Sequence, residues 1–479
     1  MMTEGEYIVD TFQKAFGKDR SKRICLYGTG RFTKLLLERL EGFNIVGVTD
    51  FGYEKNTWEG YRILSKEDVE ERVNILVLIA NPANIHLVYK KVKQLPERIK
   101  IYTIEKRDVR EEERFHEQAT LQEAVERLKK YVISAEDKAV LERFSGKLLY
   151  DTGCEIQDVY SFINIFVAPW LLSYFAWFLN RVRESKAEIV LLPSRDGYLF
   201  YRLFGLLQDC GSLPKAIYFY TSRRCAAVAS IENEQDVEVI ARQLYKGNKR
   251  TFLEERFGIK VSLKEEDLLL DNVELALRYK EKILEKARME RACLETYLLK
   301  EGIDKSKNIL LFDFVGRGTI QYCLEKIMGR SLDCLYYFRV RDEGSIERER
   351  TNGVISYSGE GNLYMAKLFT QRNQVLFEAI VTAPHGMVEK IEKDGNPFFR
   401  REKNDKSYFA EVEKACTDYY KEMYQDKYPE EINLELVDRM AEMIEYDCIF
   451  IDEKVKKCFT IDDPYQSMHT NPFMEGFIK

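Results

Sequence analysis

The residues richest in chemistry cluster in Lys307–Ile320, KNILLFDFVGRGTI. Asp313 offers a carboxylate that accepts from a sugar hydroxyl or holds a metal. Gly316 and Gly318 let an anion approach backbone N–H groups where a loop enters a helix, at the positive end of the helix dipole. Arg317 adds a planar fork of donors matched to phosphate oxygens. Thr319 caps the helix or binds an oxygen. These residue types at this spacing ask for a sugar phosphate. The plainer reading is a tight turn with a solvated arginine. Ser194-Arg195-Asp196-Gly197 and Ser222-Arg223-Arg224 have the same character. One arginine in such a place is ordinarily a surface salt-bridge partner. Several beside one or two acids suit a substrate with more than one phosphate group.

The elements that must position these residues are parallel strands. Ile309–Phe312 reads as a buried strand with Asp313 at its carboxyl end, followed by the loop Val315–Thr319 and a helix over Ile320–Met328. Ala187–Ser194 and Ala216–Tyr220 read the same way, the first followed by a helix over Leu199–Leu207. All three strand ends carry arginine, and open α/β sheets bind ligands outside the carboxyl ends of their strands. Residues 231–305 read as an inserted helical layer, and Cys334–Val340 as a further strand. Phe377–Gly386 reads as a helix stopping at Pro384, with Glu378 and His385 either facing the site or structural. The tail Lys403–Lys479 reads as helical and without chemistry of its own, a lid or an acceptor-specificity element.

The first part of the chain has its own βαβ pattern. Arg23–Thr33 is a strand that breaks at Gly28 and Gly30 and enters a helix, with Thr33 where a dinucleotide fingerprint has its third glycine. Asn44–Asp50 is the next strand, and Asp50 stands where such folds bind a ribose hydroxyl. Ile75–Ala80 and Ile101–Ile104 complete a small parallel sheet. The charge run Arg107–Glu117 reads as a solvated helix or linker and marks a boundary. The expected organisation is α/β: a Rossmann-like unit over 1–112, a second α/β domain over 113–390, and a helical region over 391–479.

Bulk properties narrow the class. A chain of 479 residues is too long for one ordinary core. Its 74 basic and 80 acidic residues are well mixed, which leaves no basic field for nucleic acid. Ten scattered cysteines and no apparent signal peptide read as reduced cytoplasmic thiols. Four histidines without ligand spacing argue against zinc. A metal would be Mg²⁺ on carboxylates, with Asp196 the candidate ligand. Tyr160–Leu179 is apolar enough to approach a membrane span, but Asn164 and Pro169 interrupt it. A buried core helix is the favoured reading, with peripheral contact at the inner membrane face as the other.

Tyr27-Gly28-x-Gly30 and Glu59-Gly60-Tyr61-x-Ile63 resemble the small Rossmann-like domains of bacterial polysaccharide enzymes, especially the sugar-nucleotide-binding part of sialic-acid and bacillosamine acetyltransferases. That resemblance implies a nucleotide or nucleotide-sugar site at Gly28, Gly30, Thr33 and Asp50, or a docking module that lost its ligand.

The order strand, acid, Gly/Thr loop, helix around Asp313 is similar to the ribose-phosphate loop of phosphoribosyltransferases, except that Phe314 stands where a second acid is usual. Ser194–Tyr198, Tyr220–Arg224 and Phe312–Thr319 together resemble the C-terminal half of bacterial capsule and O-antigen proteins labelled predicted HAD-superfamily hydrolases, over most of residues 145–390. There an N-terminal phosphatase is fused to a glycan phosphoribosyltransferase. Here a Rossmann-like unit takes the phosphatase position, and no Asp-x-Asp phosphatase motif is found.

The resemblance implies transfer of ribofuranose 5-phosphate from phosphoribosyl pyrophosphate, or a similar donor, to a glycan acceptor that can be lipid-linked. A separate phosphatase would act afterwards. It also implies roles. Arg195, Arg223 and Arg224 hold pyrophosphate, with Ser194, Gly197 and Ser222 in the same loops. Asp196 serves as metal ligand or base, Asp313 holds the ribose hydroxyls, and Gly316, Arg317, Gly318 and Thr319 hold the 5-phosphate. The competing classes are a phosphatase or phosphodiesterase and a non-catalytic nucleotide-sugar-binding scaffold.

Overall fold

The computed structural model describes residues 4–53, 55–207, 213–341, 345–346, 353–401, 406–425, 427–463, 465 and 468–474. The expected helical tail therefore falls partly outside the described residues. The fold is α/β, built on two parallel sheets.

The first sheet contains β1 (Ile24–Tyr27), β2 (Ile45–Thr49), β3 (Ile75–Leu78) and β4 (Lys100–Tyr102), in the order β2-β1-β3-β4, all parallel. Every residue of β1 and β3 is buried, as a strand covered on both faces must be. One face is covered by α1 (Glu4–Phe16), whose Ile8, Phe12 and Phe16 recur at helical spacing, and by α2 (Arg31–Arg39). The other is covered by α3 (Lys66–Arg72) and α4 (Ile85–Val92). The charge run Arg107–Glu117, expected as a solvated helix or linker, lies on the helix Val109–Gln118. It packs on the unit through buried Val109, Arg110 and Glu113, and Arg110 donates to the Leu95 carbonyl at 3.0 Å.

A helical run over Val159–Ser185 leads to the second sheet. It is long and apolar enough to cross a membrane, yet its whole apolar window is buried here. Its C-terminal part, α5 (Ala168–Ser185), lays aromatic residues on the sheet: the Trp170 and Phe314 rings lie 5.9 Å apart, and those of Phe178 and Phe312 5.5 Å apart. Asn164, which interrupts the apolar pattern, is bonded on both sides. Its amide donates to the Ala415 carbonyl at 3.0 Å and accepts from Arg143 at 2.6 Å.

The second sheet contains β5 (Ile189–Pro193), β6 (Lys215–Phe219), β7 (Ile309–Gly316), β8 (Asp333–Val340) and β9 (Val354–Ser356), in the order β6-β5-β7-β8-β9, with the short segment Glu360–Gly361 also on β8. All its pairings are parallel. Helices α6 (Gly197–Gly205), α7 (Arg223–Ser230), α8 (Lys280–Lys300) and α9 (Thr319–Met328) follow or flank these strands. Between α7 and β7 the chain is mainly helical, over Glu234–Ala241, Lys249–Phe257, Asn272–Arg278 and Lys280–Lys300, which is the expected helical layer.

Three expectations are corrected. Strand β7 continues past Asp313 to Gly316, because its pairing with β8 runs on to Gly316↔Arg339 although that with β5 stops at Leu311↔Leu191. The helix expected over Phe377–Gly386 is α10 (Gln374–Ile380), which starts before Phe377 and ends four residues before Pro384. The tail is only partly helical. It holds α11 (Phe409–Tyr424) and α12 (Leu434–Glu442), but also a hairpin of Ile461–Asp463 with Met468–Thr470. It is also built into the main core. Buried Asp438 accepts from the backbone N–H groups of Phe369 and Thr370, both at 2.8 Å.

Candidate active site

Both sheets place their first and third strands side by side with the chain diverging on either side, which opens a crevice at the carboxyl ends of those strands. In the second sheet this switch point lies between β5 and β7. The loops after β5, β6 and β7 meet there in a cleft of about 480 Å³. Ser194, Arg195, Asp196, Ser222, Arg223, Gly316, Arg317 and Thr319 all line it, as does Asp313. Six basic side chains (Arg195, Arg223, Lys246, Arg317, Arg372, Lys406) face three acids (Asp196, Asp313, Glu378) across it.

Local hydrogen bonds fix the loops. The Ser194 hydroxyl donates to the Thr221 carbonyl at 2.6 Å and accepts from the Thr221 N–H at 3.0 Å, so it ties the β5 loop to the β6 loop. The Ser194–Arg195 peptide bond is cis. The Arg195 guanidinium donates to the Asp462 carbonyl at 3.3 Å, which brings the C-terminal hairpin to the cleft. Ser222 caps α7, its oxygen accepting from the Cys225 N–H at 3.1 Å. Gly197 lies below the lining; a Cβ there would come within 2.6 Å of the Leu192 carbonyl carbon.

The loop after β7 depends on a residue that the motif reading passed over. Arg339, buried on β8, donates to the Gly316 carbonyl at 2.8 Å and to the Val340 carbonyl at 3.2 Å. Its guanidinium lies directly under Gly318, whose φ of +80° suits glycine, and a Cβ at Gly318 would collide with it. A Cβ at Gly316 would collide with the Asp313 carboxylate. The two glycines are thus required by an acid on one side and a guanidinium on the other. An arginine inside the apolar strand sequence CLYYFRV was the available signal.

The acids feel one another. Burial and then the neighbouring Asp196 carboxylate push the Asp313 pKa up to about 7, against the opposing pull of Arg339 and Arg223. Near neutral pH the pair readily holds a proton.

Arg224 is not brought into the cleft lining. It is buried and doubly bonded to Glu290, at 2.7 and 3.2 Å, and it also donates to the Glu389 carbonyl. As the second residue of α7 it points away from its neighbour Arg223, so one helical step separates a cleft residue from a core one. Glu378 lines the cleft. His385 lies elsewhere, with its Nε2 2.7 Å from the Tyr218 hydroxyl.

The candidate residues of the first sheet stand apart from this lining. Gly28 closes on the Ile79 carbonyl, which a Cβ there would meet at 3.1 Å. Asp50 accepts from the Thr29 hydroxyl at 3.2 Å and from the Gly52 N–H at 3.2 Å. Thr33 is fully buried, and Gly30 precedes α2. Just beyond, the Phe32 ring meets Tyr364 of the second unit, 4.8 Å away. What the first sheet does give the cleft is the loop after β3: Asn81, Ala83 and Asn84 line it. Sequence reasoning missed these residues, as it missed the C-terminal lining residues Tyr465, His469 and Thr470.

No protein-family model matches this chain, and no curated protein matches it either. The functional reading therefore rests on the cleft.

Proposed function

We propose that the protein is a glycosyltransferase of bacterial surface-polysaccharide biosynthesis, transferring ribofuranose 5-phosphate from phosphoribosyl pyrophosphate to a glycan acceptor. The observation that carries this reading is the meeting of three loops in one cleft. They bring Arg195, Arg223 and Arg317, the Gly316–Thr319 turn at the start of α9, and the Asp196–Asp313 pair within one cavity. A donor bearing a pyrophosphate, a 5-phosphate and free ribose hydroxyls asks for cations, a phosphate-binding turn and a carboxylate respectively.

In this reading Arg195 and Arg223 hold the pyrophosphate and stabilise its charge as the C1–O bond breaks. Arg317 and the backbone N–H groups of Gly318 and Thr319 hold the 5-phosphate. Asp313 accepts from the ribose hydroxyls. The acceptor oxygen forms the new bond to C1, and its proton passes to Asp196. Pyrophosphate leaves with the electron pair of the broken bond. The Asp196 and Asp313 carboxylates would hold a Mg²⁺ ion, with Asp196 the first ligand. Bound there, the ion would supply further charge neutralisation for the pyrophosphate. Arg224 holds Glu290 and the chain around it rather than the donor.

Calorimetric titration of phosphoribosyl pyrophosphate with Mg²⁺ tests the proposal. Micromolar binding by the wild type, abolished in Arg195→Ala and Asp313→Ala, is the expected result. A folded wild-type protein that binds no phosphoribosyl pyrophosphate would sink it.

A further inference from the structure

Six buried polar atoms of cleft-lining residues have no hydrogen-bond partner: Asn84 Oδ1, Thr221 Oγ1, Gln243 Nε2, Arg372 Nε, Gln374 Oε1 and Thr470 Oγ1. Folded chains leave few such groups, because each keeps the cost of losing water. Their concentration in one cavity marks where hydrogen-bonding groups of a ligand belong.

Three of the six share a wall: Asn84, Gln374 and Arg372. Asn84 immediately precedes α4 in the first unit, and Gln374 is the first residue of α10. Ala83, Arg372 and Asn373 line both the cleft and a smaller adjoining pocket of about 210 Å³, so the two segments lie side by side. The charged residue on this wall, Arg372, is paired with Glu442 at 2.8 Å. The wall therefore presents carboxamides, unlike the cationic loops after β5, β6 and β7.

The position of Asn84 is informative. Asparagine just before a helix ordinarily accepts from the first free N–H groups. Asn81 does this nearby, taking the Ala83 N–H at 3.0 Å. The Asn84 side chain makes no capping bond. Its amide is thus not needed to start α4. A carboxamide both donates and accepts, which matches sugar hydroxyls and not phosphate.

We infer that Asn84 and Gln374 form an acceptor subsite that binds the hydroxyl groups of an uncharged sugar ring. The first unit then completes the substrate cleft through its β3–α4 loop. Calling the subsite an acceptor site rests on the transferase reading above; its preference for a neutral carbohydrate does not.

The test uses the full chain and two separate titrations. One follows methyl glycosides of neutral hexoses and N-acetylhexosamines by saturation-transfer NMR. The other follows phosphoribosyl pyrophosphate with Mg²⁺ by calorimetry. At least one glycoside should bind the wild type. Asn84→Ala and Gln374→Ala should each weaken it at least tenfold and leave donor affinity within twofold. Asn84→Asp, which keeps an acceptor oxygen, should recover part of the loss. Unchanged thermal melting confirms that the variants fold. The subsite is overturned if no glycoside binds, if binding ignores both substitutions, or if donor affinity falls in parallel. Glycoside binding that needs Asn84, in a protein that ignores phosphoribosyl pyrophosphate, would keep the carbohydrate subsite and remove the donor reading.

Discussion

The two sheets begin from the same plan and finish differently. Each sets its first and third strands side by side, so each has a switch-point crevice. In the first sheet the groups around the crevice bond to one another: Gly28 lies against the Ile79 carbonyl, Asp50 accepts from Thr29 and Gly52, and Arg31 at the start of α2 pairs with Glu4 at 2.5 Å. In the second sheet β7 outruns β5 after Leu311, and the space beyond is lined by arginines and two mutually repelling acids. The shared topology thus leaves a charged cleft where neighbouring strands differ in length. Where the strands end level, the polar residues bond to one another instead.

The largest expected effect separates two adjacent arginines of the open crevice. Arg224→Ala leaves Glu290 buried without its main partner, and such a loss costs roughly 3–5 kcal/mol. Arg223→Ala removes a cleft residue and should leave chemical denaturation within about 0.5 kcal/mol of wild type, while donor affinity falls at least tenfold. Equal stability losses would mean that the cleft and core roles are not divided this way.

The turn after β7 comes next. Gly318→Ala forces a Cβ into the Arg339 guanidinium at a φ that only glycine takes easily. A stability loss of roughly 1–3 kcal/mol is expected, with donor binding lost. A melt and titration like those of wild type would show that Arg339 does not hold the turn.

Much of the fold was legible because its strands are short apolar runs ended by glycine or acid, a pattern that buried parallel strands must show. ILLF, IVLLP and ICLY are examples. The arginine-bearing loops were legible for the same reason: they follow those runs. The register was not. Nothing in residues 309–316 tells that β7 pairs with β8 for longer than with β5, so Asp313 was read as ending a strand that continues through it. Arg223 and Arg224 were indistinguishable because the facing of one helical turn depends on Glu290, far away in sequence. Asn84 and Thr470 reach the cleft through tertiary packing between units, which leaves no local mark.

Asp313 supplies a prediction with a pH sign. Its folded pKa, about 7, lies above its ordinary value of 3.8. Between those values the folded chain holds a proton that the unfolded chain has released, so stability falls as pH rises through this window. Asp313→Asn removes that loss. Discounted for partial exposure, the gain at pH 8 is on the order of 2 kcal/mol, or several degrees in Tm, and it should vanish near pH 4. A variant that is less stable than wild type at pH 8 would mean that Arg339 and Arg223 already compensate the charge. The variant should also lose donor binding, so the residue that weakens the empty protein is the one the donor needs.

The smallest effect returns to the first crevice. Gly30 stands before α2 as Gly318 stands before α9, but its φ is −101° and a Cβ there meets nothing within 4 Å. Gly30→Ala should change stability by less than about 1 kcal/mol, the scale of an altered helix cap. It should also leave phosphoribosyl pyrophosphate binding intact. Titration of nucleotide sugars against both proteins sharpens the comparison. If the first crevice only docks the unit onto the second sheet, neither protein binds them. If a nucleotide phosphate sits on the Gly28–Gly30 turn, wild type binds and the added methyl group, placed where the phosphate must approach the backbone, weakens it. That second outcome would show that a crevice whose polar groups bond to one another in the empty chain still takes a ligand. Strand-length mismatch would then not be the deciding difference between the two sheets.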